Sequence, residues 1–370
     1  MKKTSFSSTC GLMLGVFVCL LLPGQVTKGD FIYGEPTKVP NLNTAFYDCN
    51  PQISRDGLEL YLNYSATGAC PYDIWVSKRP TTKDPWPMPV KLEGPINSPG
   101  PERSPSLSAD GLELYFSDGY PNVTGCNPNP GGFGHSDLWV SKRASKDDLW
   151  GAPENLGPNV NTAFGEDTPC ISADGLELYF MCNSPGYPDI FKTTRKAKDA
   201  PWSTPVNLGT YINSSSPEYT PYISADGLSL FFSRGGTTPY IYVSRRATTY
   251  DPWGAANSFS PISSGVANLC LSYSDQDPTL YFSRGSNVFN KDFDIWQVEV
   301  IPIVDFNGDG FVDTLDVYEL LDHWVVGGRS SPRARLYDIA PFPFGDGIVD
   351  EKDLLVLAEH MVEISDANDF

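Results

Sequence analysis

Apolar and polar positions through the middle of the chain alternate with a period of two, and the alternation returns in near-identical form. The copies read ISRDGLELYL from Ile53, LSADGLELYF from Leu107, ISADGLELYF from Ile171, ISADGLSLFF from Ile223 and a decayed LSYSDQDPTLYF from Leu271. A two-residue period marks half-buried strands. The Asp-Gly pairs inside the first four copies (Asp56-Gly57, Asp110-Gly111, Asp174-Gly175, Asp226-Gly227) mark tight hairpins, because such turns need a positive φ that glycine tolerates. A third strand follows as DIWVSKR at Asp73, DLWVSKR at Asp137, DIFKTTR at Asp189, YIYVSRR at Tyr240 and DIWQVEV at Asp294. The fourth element is the Trp-Pro segment at Trp86, Trp150, Trp202 and Trp253, which runs on into an Asn-rich loop. The copies recur about every 54 residues, a length that suits a four-stranded propeller blade with generous loops. The predicted fold is therefore an all-β five-bladed propeller of four-stranded blades over residues 30–302.

The last copy stops after its third strand, near Val300, whereas GEPTKVPNLNT at Gly34 to Thr44 resembles the fourth element of the others. The N-terminal segment is expected to complete the last blade, which leaves no free sheet edge. These repeats resemble the PD40 type of WD40-like propeller found in TolB-like proteins, over roughly Phe31 to Val300. The resemblance implies a fold and says little about a ligand, since propellers host many activities.

Ahead of the repeats the hydrophobic pattern changes character. Lys2 and Lys3 precede an uncharged, largely apolar run from Cys10 to Leu22, then Pro23, Gly24 and small residues up to Gly29. That order reads as a signal peptide over 1–29 with the mature chain starting near Asp30; the run is shorter than the roughly 20 residues a membrane span needs. Nothing later is long and apolar enough to span a bilayer, and Cys19 sits in no lipobox. The expected location is secreted, periplasmic or at the cell surface. A formal charge of −19 repels phosphate backbones, so no nucleic-acid partner is expected. Cys49, Cys70, Cys126, Cys170, Cys182 and Cys270 form an even set in an exported chain, where disulfides persist. Cys170–Cys182 and Cys49–Cys70 are the pairs to test first.

The loops that enter the inner strands and those joining second and third strands emerge on one propeller face. Just before the inner strands stand Glu102-Arg103-Ser104-Pro105, Glu166-Asp167-Thr168-Pro169 and Glu218-Tyr219-Thr220-Pro221, with Asp48-Cys49-Asn50-Pro51 as a weaker copy. Two readings stay open: carboxylates lining the channel, or carboxylates each tying a loop within their own blade. Glu102, Glu166 and Glu218 are the candidate acid and nucleophile or base of a glycoside hydrolase, a chemistry that requires two carboxyls at a defined separation. Departures from symmetry speak more directly to a ligand. The longest is the Asp118 to Ser136 loop with Tyr120, Phe133 and His135, since long loops in compact domains are often functional. Arg234 and Arg284 follow second strands and either bind a ligand's carboxylates or sugar hydroxyls or pair with blade carboxylates. The chain holds only His135, His323 and His360, so a Ser-His-Asp mechanism would rest on His135 alone.

Near the end, Asp305, Asn307, Asp309, Asp313 and Asp316 fall at positions 1, 3, 5, 9 and 12 of a loop, with Gly310 at the bend and Phe311 at position 7 to offer its carbonyl. That oxygen-only spacing suits Ca2+. A second loop repeats the later part, with Asp346, Ile348, Asp350 and Asp353, but Phe342 and Phe344 stand at positions 1 and 3; Asp338, set further back, is the available substitute. Each loop runs into an apolar-striped helix. The duplicated loop–helix resembles a type I dockerin and defines a small α-helical domain over 303–370. The resemblance implies docking onto a cohesin-type module or a cell-surface component, with Thr314 and Leu315 among the contacts. The leading expectation is a secreted, non-enzymatic propeller that binds a protein or a polysaccharide; the competing one is a polysaccharide-degrading glycoside hydrolase.

Overall fold

The computed structural model describes residues 32–45, 47–65, 72–119, 129–183, 186–259, 262, 265–274, 276–288, 292–301, 304, 306, 314–322, 349 and 351–358. Five antiparallel sheets, each four strands wide, follow one another along the chain. The first blade is built from Asp48–Ile53, Glu59–Tyr64, Asp73–Lys78 and Val90–Lys91. The second takes Glu102–Leu107, Glu113–Asp118, Leu138–Lys142 and Glu154–Asn155. Glu166–Ile171, Glu177–Cys182, Asp189–Thr194 and Val206–Asn207 make the third. The fourth uses Glu218–Ile223, Ser229–Arg234, Tyr240–Arg245 and Asn257–Ser258. The fifth has Ala267–Ser274, Asp277–Gly285 and Asp294–Ile301 from its own repeat. Its outer edge comes from the N-terminal segment, where Thr37–Lys38 pairs with Gln297 and Trp296, and Ile32–Tyr33 with Ile301 and Val300. Closure by the N-terminal strand removes the free edge, as the missing fourth element required.

The Trp segments differ from the expected fourth strand. The outer strands are only two residues long and begin after the tryptophans, which are themselves buried between blades. Each tryptophan sits against an arginine from the end of its blade's third strand: Arg79 over Trp86 at 4.1 Å, Arg143 over Trp150 at 4.4 Å, Arg195 over Trp202 at 4.5 Å and Arg246 over Trp253 at 4.4 Å. The same guanidinium reaches the preceding blade, Arg143 to Glu59 at 2.9 Å, Arg195 to Glu113 at 2.9 Å, Arg246 to Glu177 at 3.1 Å and Arg79 to Asp277 at 2.5 Å. Its Nε donates to the carbonyl of the glycine in its own Asp-Gly turn, for example Arg143 to Gly111 at 2.7 Å. The acceptor's second neighbour is a tyrosine hydroxyl, Tyr61 on Glu59 and Tyr115 on Glu113. Fully satisfied in this way, a buried ion pair fixes the rotation between blades. The fourth–fifth junction lacks this cage: Ser229 and Phe231 replace the acid and the tyrosine, and an apolar cluster of Phe231, Ile241, Phe259, Leu280, Phe282 and Val298 fills the space.

In the C-terminal region, a helix spans Thr314–Leu321 and a second spans 351–358. Each buries an aspartate in its first turn and a leucine four residues on, Asp316 with Leu320 and Asp353 with Leu357, the spacing of one helix face.

Candidate functional site

The upper face of the propeller, where inner strands begin, is built on a repeated local device. Asn43-Thr44, Asn97-Ser98, Asn161-Thr162 and Asn213-Ser214 each precede an inner-strand carboxylate by four residues, counted from the hydroxyl residue. The asparagine clamps the preceding blade's third strand: Asn97 accepts from Ile74 N at 2.8 Å and donates to Ile74 O at 2.9 Å, and Asn161 and Asn213 do the same to Leu138 and Ile190. The hydroxyl and its backbone N–H then donate to the carboxylate. Ser98 holds Glu102, Thr162 holds Glu166, Ser214 holds Glu218 and Thr44 holds Asp48, with side-chain contacts of 2.5 to 2.8 Å. All four carboxylates are fully covered. They cap their own loops, the second of the two readings that the spacing left open. The motif Asn-Ser/Thr followed by an acid four residues after the hydroxyl was readable in the chain and is the signal for it.

Burial pushes Glu102 up to about 7 and Asp48 up to about 6 against the hydrogen bonds that favour their ionised forms, and raises Glu166 likewise. Arg234 Nε sits 2.8 Å from Glu218 and its Nη2 donates to Ile212 O. Arg284 bonds Asn268 Oδ1 at 2.8 Å and Ile262 O at 2.8 Å, with its guanidinium against Phe282 and Trp296. Both arginines thus serve their own blades. His135 is exposed on the upper face, its N–H donating to Phe164 O at 3.0 Å.

Along the axis, each inner strand carries a one-residue β-bulge at Asn50, Ser104, Thr168, Thr220 and Cys270, all at φ between 49° and 56°. Proline follows the first four, and with no N–H to offer it fits a bulged edge. These side chains line a cavity of about 30 Å³, room for a water molecule. Three of them are linked side chain to side chain, Asn50 to Ser104 at 2.8 Å and the Cys270 thiol to Asn50 Oδ1 at 2.6 Å, while the buried Thr168 Oγ1 has no hydrogen-bond partner among the described residues. Beside the ring, Arg103 and Asp167 pair across blades at 2.5 Å, and Asp167 also accepts from Ser117 and from Thr168 N. Among the described residues, no charged side chain lines the cavity itself.

The described cysteines are thiols. Cys170 and Cys182, offered above as a pair, pack in different inter-blade cores. Burial pushes Cys170 and Cys270 up to about 12 and Cys49 well above its ordinary value, so none of these three is an activated nucleophile. Cys70 and Cys126 lie outside the described residues, as do Asp305, Asn307, Asp309, Phe311, Asp313, Asp338, Asp346, Ile348 and Asp350 of the calcium loops. Asp316 and Asp353 are described and fully buried, and Asp316 Oδ1 accepts from Phe306 N at 2.7 Å, tying loop position 12 to position 2. Among the described residues, no helix is long and apolar enough to cross a membrane.

No family model matches the chain, and no curated protein matches it. Among solved structures, the chain is similar to an α-L-arabinofuranosidase from Podospora anserina solved with cellotriose, at 10% identity and TM-score 0.50, covering 74% of this chain and 97% of that one. This chain is a five-bladed β-propeller. Other solved structures similar to it include a protein of unknown function from Dyadobacter fermentans, at 10% identity and TM-score 0.49 over 74% of this chain and 99% of that one. TolB from Acinetobacter baumannii matches at 14% identity and TM-score 0.41 over 71% of this chain, which spans 56% of that one. At such identities the likeness concerns the propeller's fold alone.

Proposed function

We propose that this protein is a secreted, non-catalytic propeller that binds a polysaccharide or a protein and is anchored through a calcium-stabilised, dockerin-like domain over 303–370. The observation that carries the propeller half is the burial of Asp48, Glu102, Glu166 and Glu218 against hydroxyl and backbone donors of their own loops. Glycoside hydrolysis needs an acid and a nucleophile or base that reach the substrate. Carboxylates spent on capping do not meet that need, although burial lifts Glu102 into the range of a general acid.

For the docking half, the donor set is oxygen-only, and both position-12 aspartates are turned into the domain at a helix start. Bound there, calcium would be held by Asp305, Asn307, Asp309, Asp313, Asp316 and the Phe311 carbonyl, and would order the loop against its helix. Leu315, Tyr318, Leu321 and Leu355 are exposed on the two helices and offer apolar surface to a cohesin-type module. Calorimetric titration of calcium into the chelator-stripped full chain tests this half. Tight binding that Asp309→Ala abolishes supports it, and absence of binding overturns the docking reading. Retention of the chain by immobilised glycans or proteins without bond cleavage supports the propeller half, and turnover of a glycan overturns it.

A further inference from the structure

On the upper face, across the second and third blades, three segments form a surface unlike the rest of the molecule: 129–136, 162–165 and the described residues of 183–188. In a chain with 19% charged residues they contain no Asp, Glu, Lys or Arg. They present Phe133 at 48% exposure, Phe164 at 40% and Tyr187 at 56%, with exposed His135 between the first two. Among the described residues, the other exposed apolar side chains of the propeller lie on outer strands and lower loops, apart from Tyr211 in the upper loop that leads into the fourth inner strand.

The aromatic segments are tied to one another. His135 N donates to Phe164 O at 3.0 Å, Ser136 and Gly165 form a parallel bridge, and Asn183 N donates to Gly165 O at 2.8 Å. Asp137, fully buried, accepts from Phe133 N at 2.6 Å and Gly134 N at 3.1 Å and is held in turn by Asn155. Gly134 makes the approach possible: a Cβ there would lie 2.0 Å from Phe164 O and 2.4 Å from Thr162 O. Phe133 and Phe164 therefore stand on a fixed backbone, so little ordering entropy is lost there when a ligand covers them.

We infer that this surface binds a neutral polysaccharide, with sugar C–H faces on the rings of Phe133, Phe164 and Tyr187 and hydroxyls on His135 and neighbouring amides. The inference rests on the binding-module reading and locates its site. Aromatic rings with polar neighbours suit a ligand that is apolar on one face and hydroxyl-rich at its edges. The absence of charge on the patch provides nothing for an ionic ligand to pair with, and the formal charge of −19 opposes a polyanion.

The test is affinity electrophoresis of the full chain in gels containing soluble β-glucan, xylan or galactomannan, with polygalacturonate as the anionic comparison and no polysaccharide as reference. Retardation by at least one neutral polymer, weakened tenfold or more in Phe133→Ala/Phe164→Ala and in Tyr187→Ala with unchanged melting, is expected; Phe133→Tyr retains it. Retardation that the double variant keeps overturns this site while leaving the binding-module reading in place. Retardation by polygalacturonate alone, or by no polymer, overturns the glycan assignment. Release of reducing ends overturns the binding-module reading itself, whatever the variants do.

Discussion

The two faces of the propeller bury the same chemical group and treat it in opposite ways. On the lower face, burial pushes Glu59, Glu113 and Glu177 up, but Lys and Arg donors outweigh it and leave all three lowered. On the upper face, Asp48, Glu102 and Glu166 receive hydroxyl, amide and backbone donors with no bonded cation, and burial prevails. Asp118, which accepts from Asn129 N and Asp137 N, follows the upper-face pattern at about 6. Partner charge rather than depth decides the outcome. The lower face is a cage that locks blades to each other, while the upper face holds loops in place and leaves Phe133, Phe164 and Tyr187 exposed.

The comparison breaks hardest at the cage. Arg143→Ala leaves Glu59 buried without its guanidinium and exposes one wall of Trp150; a loss of about 3–5 kcal/mol in urea unfolding is expected, as for one partner of a buried pair. A loss below 1 kcal/mol would remove the cage from the account. On the upper face, Thr162→Ala deletes the hydroxyl donor to Glu166 and should cost about 1.5–3 kcal/mol, the range for a hydrogen bond to a charged group. Lys146→Ala breaks only the half-exposed pair with Asp56 and should cost less than about 1 kcal/mol.

Stability against pH sharpens the contrast. The folded value of Glu102 lies near 7, above its ordinary 4.5, so its contribution is complete below about 4.5 and is lost as pH rises through about 7. Asp110, paired with Lys198, lies near 2, so its contribution is present above about 3.8 and is lost only as pH falls through about 2. Stability should therefore fall between pH 5 and pH 8, and Glu102→Gln should flatten that fall, measured by urea midpoints at fixed salt. An unchanged slope in the variant would show that Glu102 is not the buried group responsible.

The blades were legible because their signals are local: alternation, Asp-Gly turns and a fixed repeat length need no knowledge of the third dimension. Cyclic closure was legible from a missing element at one end and a spare one at the other. The cage was not, although Glu113 and Arg195 stand in plain view, because the partners are 82 residues apart and meet only through the rotation between blades. The inner-strand bulge escaped for a related reason: a left-handed Ser104 or Thr220 is no local preference of those residues, and it goes with cross-blade bonds, Asn50 to Ser104 and Cys270 N to Thr220. At the upper face, reading the acids alone left capping and catalysis open, and the hydroxyl four residues earlier was the missing half of the pattern.

The central claim is that the upper-face carboxylates hold loops and perform no chemistry. Its most direct test is reducing-end release from β-glucan, xylan and galactomannan by the wild-type chain, Glu102→Gln and Glu166→Gln, with binding to the same polymers measured in parallel. The account predicts no release by any of the three proteins and binding by both variants equal to wild type. Turnover by the wild-type chain that either substitution abolishes would contradict it.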